Sequence, residues 1–184
     1  MTQFSNLSHL LLKTLISGSF LLLSFPAIAA QLSNGQQVFD RAPRVVRVVS
    51  NSAQVNQSGD TYRLVISVPE DAGAPLQAIR ITQRADQEAI AFQPNETRIF
   101  AMNPRTEISQ MNLGGTEPEP GEVMVVLEQP VQPGQTVTLY LKPERNPSQD
   151  GIYSLGVTAY PVGEDSPGLF LGYSRLNFYA PNGR

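Results

Sequence analysis

Hydrophobic and polar residues alternate in short runs along most of this chain, and proline, glycine and asparagine cut the runs apart. In Asp60–Val68 the side chains of Tyr62, Leu64, Ile66 and Val68 fall on one face, with Arg63 and Ser67 on the other. Glu122–Glu128 groups Val123, Val125 and Leu127. Thr136–Lys142 sets Val137, Leu139 and Leu141 against Thr136, Thr138, Tyr140 and Lys142. A period of two belongs to a β-strand with one buried face. Further strands are predicted at Val45–Val49, Ala78–Arg84, Ala89–Phe92, Ile152–Tyr160 and Leu169–Tyr179. No segment sustains the 3.6-residue period of an amphipathic helix.

About eight short strands with frequent turn residues predict an all-β fold. The expected architecture is a single antiparallel two-layer β-sandwich, immunoglobulin-like or jelly-roll-like, with a closed β-barrel as the alternative. Gln129–Gln135, punctuated by Pro130, Pro133 and Gly134, suits a connection from one sheet to the other. Asn103–Gly121, with Gly114-Gly115 and Glu117-Pro118-Glu119-Pro120, reads as a long surface loop, with a short helix at Thr106–Leu113 as its one candidate element. There is no internal repeat and no linker composition, so residues 30–184 are expected to form one domain.

The first 29 residues have a different pattern. A polar start carrying Lys13 precedes the apolar run Leu15–Phe25, Pro26 breaks it, and Ala27-Ile28-Ala29 places small residues at the two positions a signal peptidase reads. This is the layout of a secretory leader. The apolar run is too short for a bilayer span, which needs roughly 20 residues. Cleavage after Ala29 is expected, which leaves no transmembrane segment and a chain exported to the periplasm, the cell surface or the medium.

Composition narrows the chemistry. The 184 residues contain no cysteine, no tryptophan and a single histidine, which is His9 in the leader. The exported chain therefore has no imidazole and no thiol. That excludes Ser-His-Asp and Cys-His nucleophile systems, histidine- or thiolate-bound metals, and disulfides. The net charge of −3 becomes −4 when Lys13 leaves, which argues against nucleic acid as a partner. No cofactor is indicated.

Several stretches then fall into an ordered set: Val38-Phe39-Asp40-Arg41-Ala42-Pro43-Arg44-Val45-Val46, Val68-Pro69-Glu70-Asp71-Ala72-Gly73-Ala74-Pro75-Leu76, Ile81-Thr82-Gln83-Arg84, Pro130–Thr138, Arg145-Asn146-Pro147, Gly151–Pro161 and Gly172–Tyr179. Together they resemble an exported domain-of-unknown-function family of cyanobacteria, over about residues 32–180. The resemblance implies export, one domain and a photosynthetic bacterial source. It carries over no activity and no catalytic residues.

Two local patterns are candidate binding features. Arg41, Arg44 and Arg47 recur every third residue beside Pro43. In a polyproline-type segment they would line one edge and grip carboxylates or phosphates bidentately. In a β-strand they would alternate faces and pair locally with acids such as Asp40. On the last strand Tyr173, Arg175 and Tyr179 share a face that suits ring-on-guanidinium recognition, while Phe170, Leu176 and Phe178 are expected in the core. Carboxylates offer the remaining chemistry. Glu144, Asp150, Glu164 and Asp165 are the loop candidates for a glycosidase pair, and Glu117, Glu119 and Glu122 cluster without a calcium-loop spacing. Arg145-Asn146-Pro147 with Asp150-Gly151 reads as a shape-determining turn.

The expected function is a non-enzymatic binding or interaction module of the cell envelope, with an envelope polysaccharide or protein as partner. The alternatives are a structural or assembly subunit and, below that, a carboxylate-dependent glycoside hydrolase.

Overall fold

The computed structural model describes residues 36–102, 105–111 and 119–180; the leader with Ala27 and Ala29, and Glu117 of the acidic loop, lie outside them. The period-two runs form strands β1 (Arg44–Ser50), β2 (Tyr62–Ser67), β3 (Leu76–Gln83), β4 (Arg98–Met102), β5 (Thr106–Ile108), β6 (Glu122–Val131), β7 (Thr136–Leu141), β8 (Gly151–Pro161) and β9 (Leu169–Phe178). They make a five-stranded sheet in the order β1-β2-β7-β4-β5 and a four-stranded sheet in the order β6-β3-β8-β9. Every named strand pair is antiparallel.

The order is immunoglobulin-like. β1, β2, β7 and β4 occupy the A-B-E-D positions, and β3, β8 and β9 the C-F-G positions. β6 enters between the D-like and E-like strands and pairs with β3. The connection from β6 to β7 passes from one sheet to the other, as its prolines and glycine predict. The sheets do not close into a barrel. β1 and β9 run side by side at one margin, and past their ends Gln54 and Tyr179 make an isolated parallel bridge.

Alternation is what makes two layers with one core. Leu64 and Ile66 of β2, Val137 and Leu139 of β7 and Ile99 of β4 point inward against Ile79 and Ile81 of β3, Val123 and Val125 of β6 and Leu155 and Val157 of β8, all buried. Burying a side chain of that size contributes roughly 1.5–3 kcal/mol. Such a core stands without disulfides. One end of it is aromatic: Tyr62 meets Phe92 edge-on at 6.1 Å and Phe178 at 5.8 Å, and Tyr153 meets Phe178 edge-on at 5.5 Å.

Two expectations need correction. Ala89–Phe92 is not a strand; Ile90 and Phe92 are buried, but Phe92 makes an isolated bridge to Pro143. The strand of this region is β4, whose outward Phe100 and Met102 hid the alternation. The short helix expected at Thr106–Leu113 does not start: Thr106–Ile108 pairs with Ile99–Ala101 as β5, and residues 112–113 lie outside the described residues.

Candidate functional site

Two β-bulges, each one extra residue in a strand, rearrange the candidate side chains. In β1, Val45 pairs with Ile66 but Arg47 pairs with Val65, so Val46 is the extra residue and bulges out 63% exposed. Arg44 lies opposite Ser67 and Arg47 opposite Val65, and both partners face away from the core. Arg44 and Arg47 therefore share the outer face of the five-stranded sheet. The segment is a strand, as one sequence reading holds, yet the bulge cancels the alternation that reading entails. Arg41 precedes the strand and is engaged elsewhere, donating to Asp71 at 2.6 Å.

The second bulge is in β9. Val157 pairs with Gly172 and Thr158 with Phe170, so Leu171 is the extra residue. It turns Phe170 to the outside, 53% exposed, and overturns its expected place in the core. Phe170 and Tyr173 now meet edge-on, 5.2 Å between centroids and 70° between planes. Both rings lie on the backbone of Gly156. A Cβ there would stand 3.0 Å from Phe170 Cε2 and 3.1 Å from Tyr173 Cε1. Gly172, with φ +114°, carries the bend. Glycine inside an apolar strand pattern is the sequence signal that could have revealed this bulge.

The bulges sit on facing edges of the two sheets, and between them runs an open groove of about 370 Å³. Ala42, Pro43, Arg44 and Val45 line one side and Phe170–Ser174 the other. Arg44 and Tyr173, which the sequence gives no reason to associate, are brought together here. Arg47 and Arg175 are not in this lining. Arg175 lies opposite Ser154 on the same outer face as Tyr173. Tyr179 leaves the sheet: its N–H donates to Ala53 O and its carbonyl accepts from Val55 N–H.

The carboxylate candidates do not assemble. Glu122 pairs with Arg80 at 3.4 Å, and no group of three or more metal-ligating side chains forms among the described residues. Asp150 joins Asp86 and Glu88 around a polar hollow of about 410 Å³, with Gln149 and Tyr153. Glu88 accepts from Ser148 Oγ at 2.7 Å and Ser148 N–H at 2.8 Å, and these bonds hold its carboxyl below the usual range. A glycosidase acid needs the opposite shift. Asp86 is bound to Arg84 at 3.0 Å.

At the far end of β1 from the groove lies a buried polar knot. Asp60 Oδ1 accepts from the N–H groups of Asn51, Ser52 and Thr61. Asn146 Oδ1 accepts from Tyr62 OH at 2.8 Å, and its Nδ2 donates to Asp60 Oδ2, Ser52 O and Gln54 O. Burial drives the Tyr62 phenol far above its ordinary value, helped by the Asp60 charge. This knot ties the loop after β1 to the loop after β7, which is the shape-determining role expected of Asn146.

The sequence profile of a family described as "Protein of unknown function (DUF2808)" matches residues 36–178, most of the chain. The chain belongs to the DUF2808 family. Arg41, Arg44, Arg47, Tyr173 and Arg175 lie within the matched span, and Tyr179 lies just past it. No curated protein matches this DUF2808 sequence as a relative. Among solved structures its backbone is similar to BslA, a bacterial hydrophobin, with TM-score 0.43 and 10% identity over 78% of this chain and 98% of that one. It is also similar to the C-terminal domain of the Streptococcus pyogenes antigen I/II-family protein AspA, with TM-score 0.41 and 14% identity over 79% of this chain and 44% of that one. A collagen-binding domain from a Staphylococcus aureus adhesin gives TM-score 0.38 and 7% identity over 72% and 97%. Among the described residues no helix is long and apolar enough to cross a membrane.

Proposed function

We propose that this DUF2808 chain is an exported, non-enzymatic binding module of the cell envelope, which holds a polysaccharide or protein component in the groove between β1 and β9. The observation that carries the proposal is the meeting of Arg44 with the exposed Phe170–Tyr173 pair across that groove. A guanidinium beside aromatic faces recognises polar and apolar parts of a ligand at once. The leader pattern of residues 1–29 supports export, and the loss of His9 with the leader supports recognition over turnover.

The test is co-sedimentation of the purified protein with cell-wall and exopolysaccharide fractions of its host. The native protein is expected to pellet with at least one fraction at low and moderate salt. Tyr173→Ala and Arg44→Gln are each expected to weaken that association about tenfold, roughly 1.4 kcal/mol. Failure to pellet with any fraction, or variants that pellet as well as the native protein, would overturn the assignment.

A further inference from the structure

The outer face of the five-stranded sheet carries a charge unlike that of the rest of the molecule. Its five strands contain one acid, Glu107, and four arginines, Arg44, Arg47, Arg63 and Arg98, and Arg105 stands just ahead of β5. This is in a chain of net charge −3. Glu107 is bound in a fork by Arg98, Nε at 2.8 Å and Nη2 at 3.0 Å. Arg44, Arg47, Arg63 and Arg105 have no ion-pair partner among the described residues. The Arg63 Nε is buried with no hydrogen-bond partner at all. On the other sheet, Arg80 of β3 and Arg84 just past it are each tied to a carboxylate, and Arg175 of β9 is the one strand arginine there without an ion pair among the described residues.

Pairing sets these cations in rows. Val49, Arg63, Tyr140 and Arg98 follow one another across β1, β2, β7 and β4, and Arg47, Val65, Thr138, Phe100 and Glu107 form the next row. Arg63 and Arg98 are two inter-strand steps apart, about 9–10 Å. Aromatic rings pave the space between. Phe100 meets Tyr140 edge-on at 5.6 Å, and the guanidiniums of Arg98 and Arg105 lie 5.2 and 4.6 Å from the Phe100 centroid. The ring contact restrains the Arg105 guanidinium, which lowers the ordering cost of binding there.

We infer that this face binds an extended anionic polysaccharide, with Arg47, Arg63 and Arg105 gripping its carboxylate or sulfate groups and Phe100 and Tyr140 supporting its sugar rings. The surface adjoins the groove at Arg44, but Arg47, Arg63 and Arg105 lie outside the groove lining, and the inference stands without that assignment. Charge complementarity selects the occupant. Cations at intervals on a flat, ring-paved face match a polymer charged at intervals. The acidic remainder of the molecule repels the denser charge of a nucleic acid.

The experiment measures binding of the purified protein to polygalacturonate and to dextran sulfate, with neutral dextran and duplex DNA as controls, across a salt series. Binding to at least one acidic polymer, weakening steadily with salt, is expected, and which polymer binds separates carboxylate from sulfate recognition. The triple variant Arg47→Gln, Arg63→Gln, Arg105→Gln is expected to lose at least about tenfold in affinity and about two units of salt slope. The corresponding triple lysine variant keeps charge but not the bidentate fork, so it is expected to fall between the two and serves as the fold control. Tyr173→Ala is expected to bind the polymers as the native protein does. The inference is overturned if neither acidic polymer binds at low salt, if the glutamine variant binds unchanged, or if DNA or neutral dextran binds as tightly. Loss through Tyr173→Ala alone would move the ligand to the groove and overturn it too.

Discussion

Asn146 shows how much one amide settles. Its side chain is buried and joins Tyr62, Asp60, Ser52 and Gln54, whose positions lie 84 to 94 residues away in sequence. Asn146→Ala removes all these bonds and leaves a buried phenol and carboxylate short of partners, which costs roughly 2–4 kcal/mol. A urea melt is expected to show that loss. Tyr62 adds a dependence on pH. Its phenol stays protonated in the folded chain well above 10.0, its ordinary value. The unfolded chain releases that proton first, so the stabilisation is complete below about pH 10 and declines above it, by up to about 1.4 kcal/mol per pH unit. Tyr62→Phe is expected to flatten the alkaline limb of a stability-versus-pH curve, and an unchanged limb would contradict the assignment. The turn at Asn146-Pro147 is legible in the sequence, since asparagine and proline bend a chain locally. The burial of the asparagine is not, because its partners come from another loop.

At the scale of the strand, the alternating runs of β2, of β7 and of the first part of β6 announce themselves because a regular ladder turns every second residue toward the core. Reading fails at the irregular strands. A single inserted residue at Val46 or Leu171 reverses every face assignment on one side of it. That is why Phe170 looked like a core residue and why Arg44 and Arg47 looked opposed. The candidate site is built on those two bulges, so it was the least legible part of the chain. The difference is measurable. Phe178 is buried to 1% whereas Phe170 is 53% exposed. Phe178→Ala is expected to destabilise by about 3–5 kcal/mol, and Phe170→Ala by less than about 1 kcal/mol. Equal costs from chemical denaturation would refute the bulge in β9.

On the scale of the whole molecule, two layers and one core follow from composition and period. The strand order does not, since it depends on contacts between segments far apart in sequence. That order gives the molecule its functional asymmetry. It sets the margins of β1 and β9 side by side, and it gathers unpaired arginines on one outer face while acids concentrate in loops and elsewhere. We propose that this surface recognises an envelope component without altering it. The direct measurement is an amide chemical-shift map of isotope-labelled protein titrated with a solubilised envelope fraction of its host, with the size of the polymers followed in parallel. Shifts gathered at Ala42–Val45, Phe170–Ser174 and the adjoining outer face, with polymer length unchanged, are the predicted result. Shifts centred on Asp86, Glu88 and Asp150, together with shortened polymers, would contradict it.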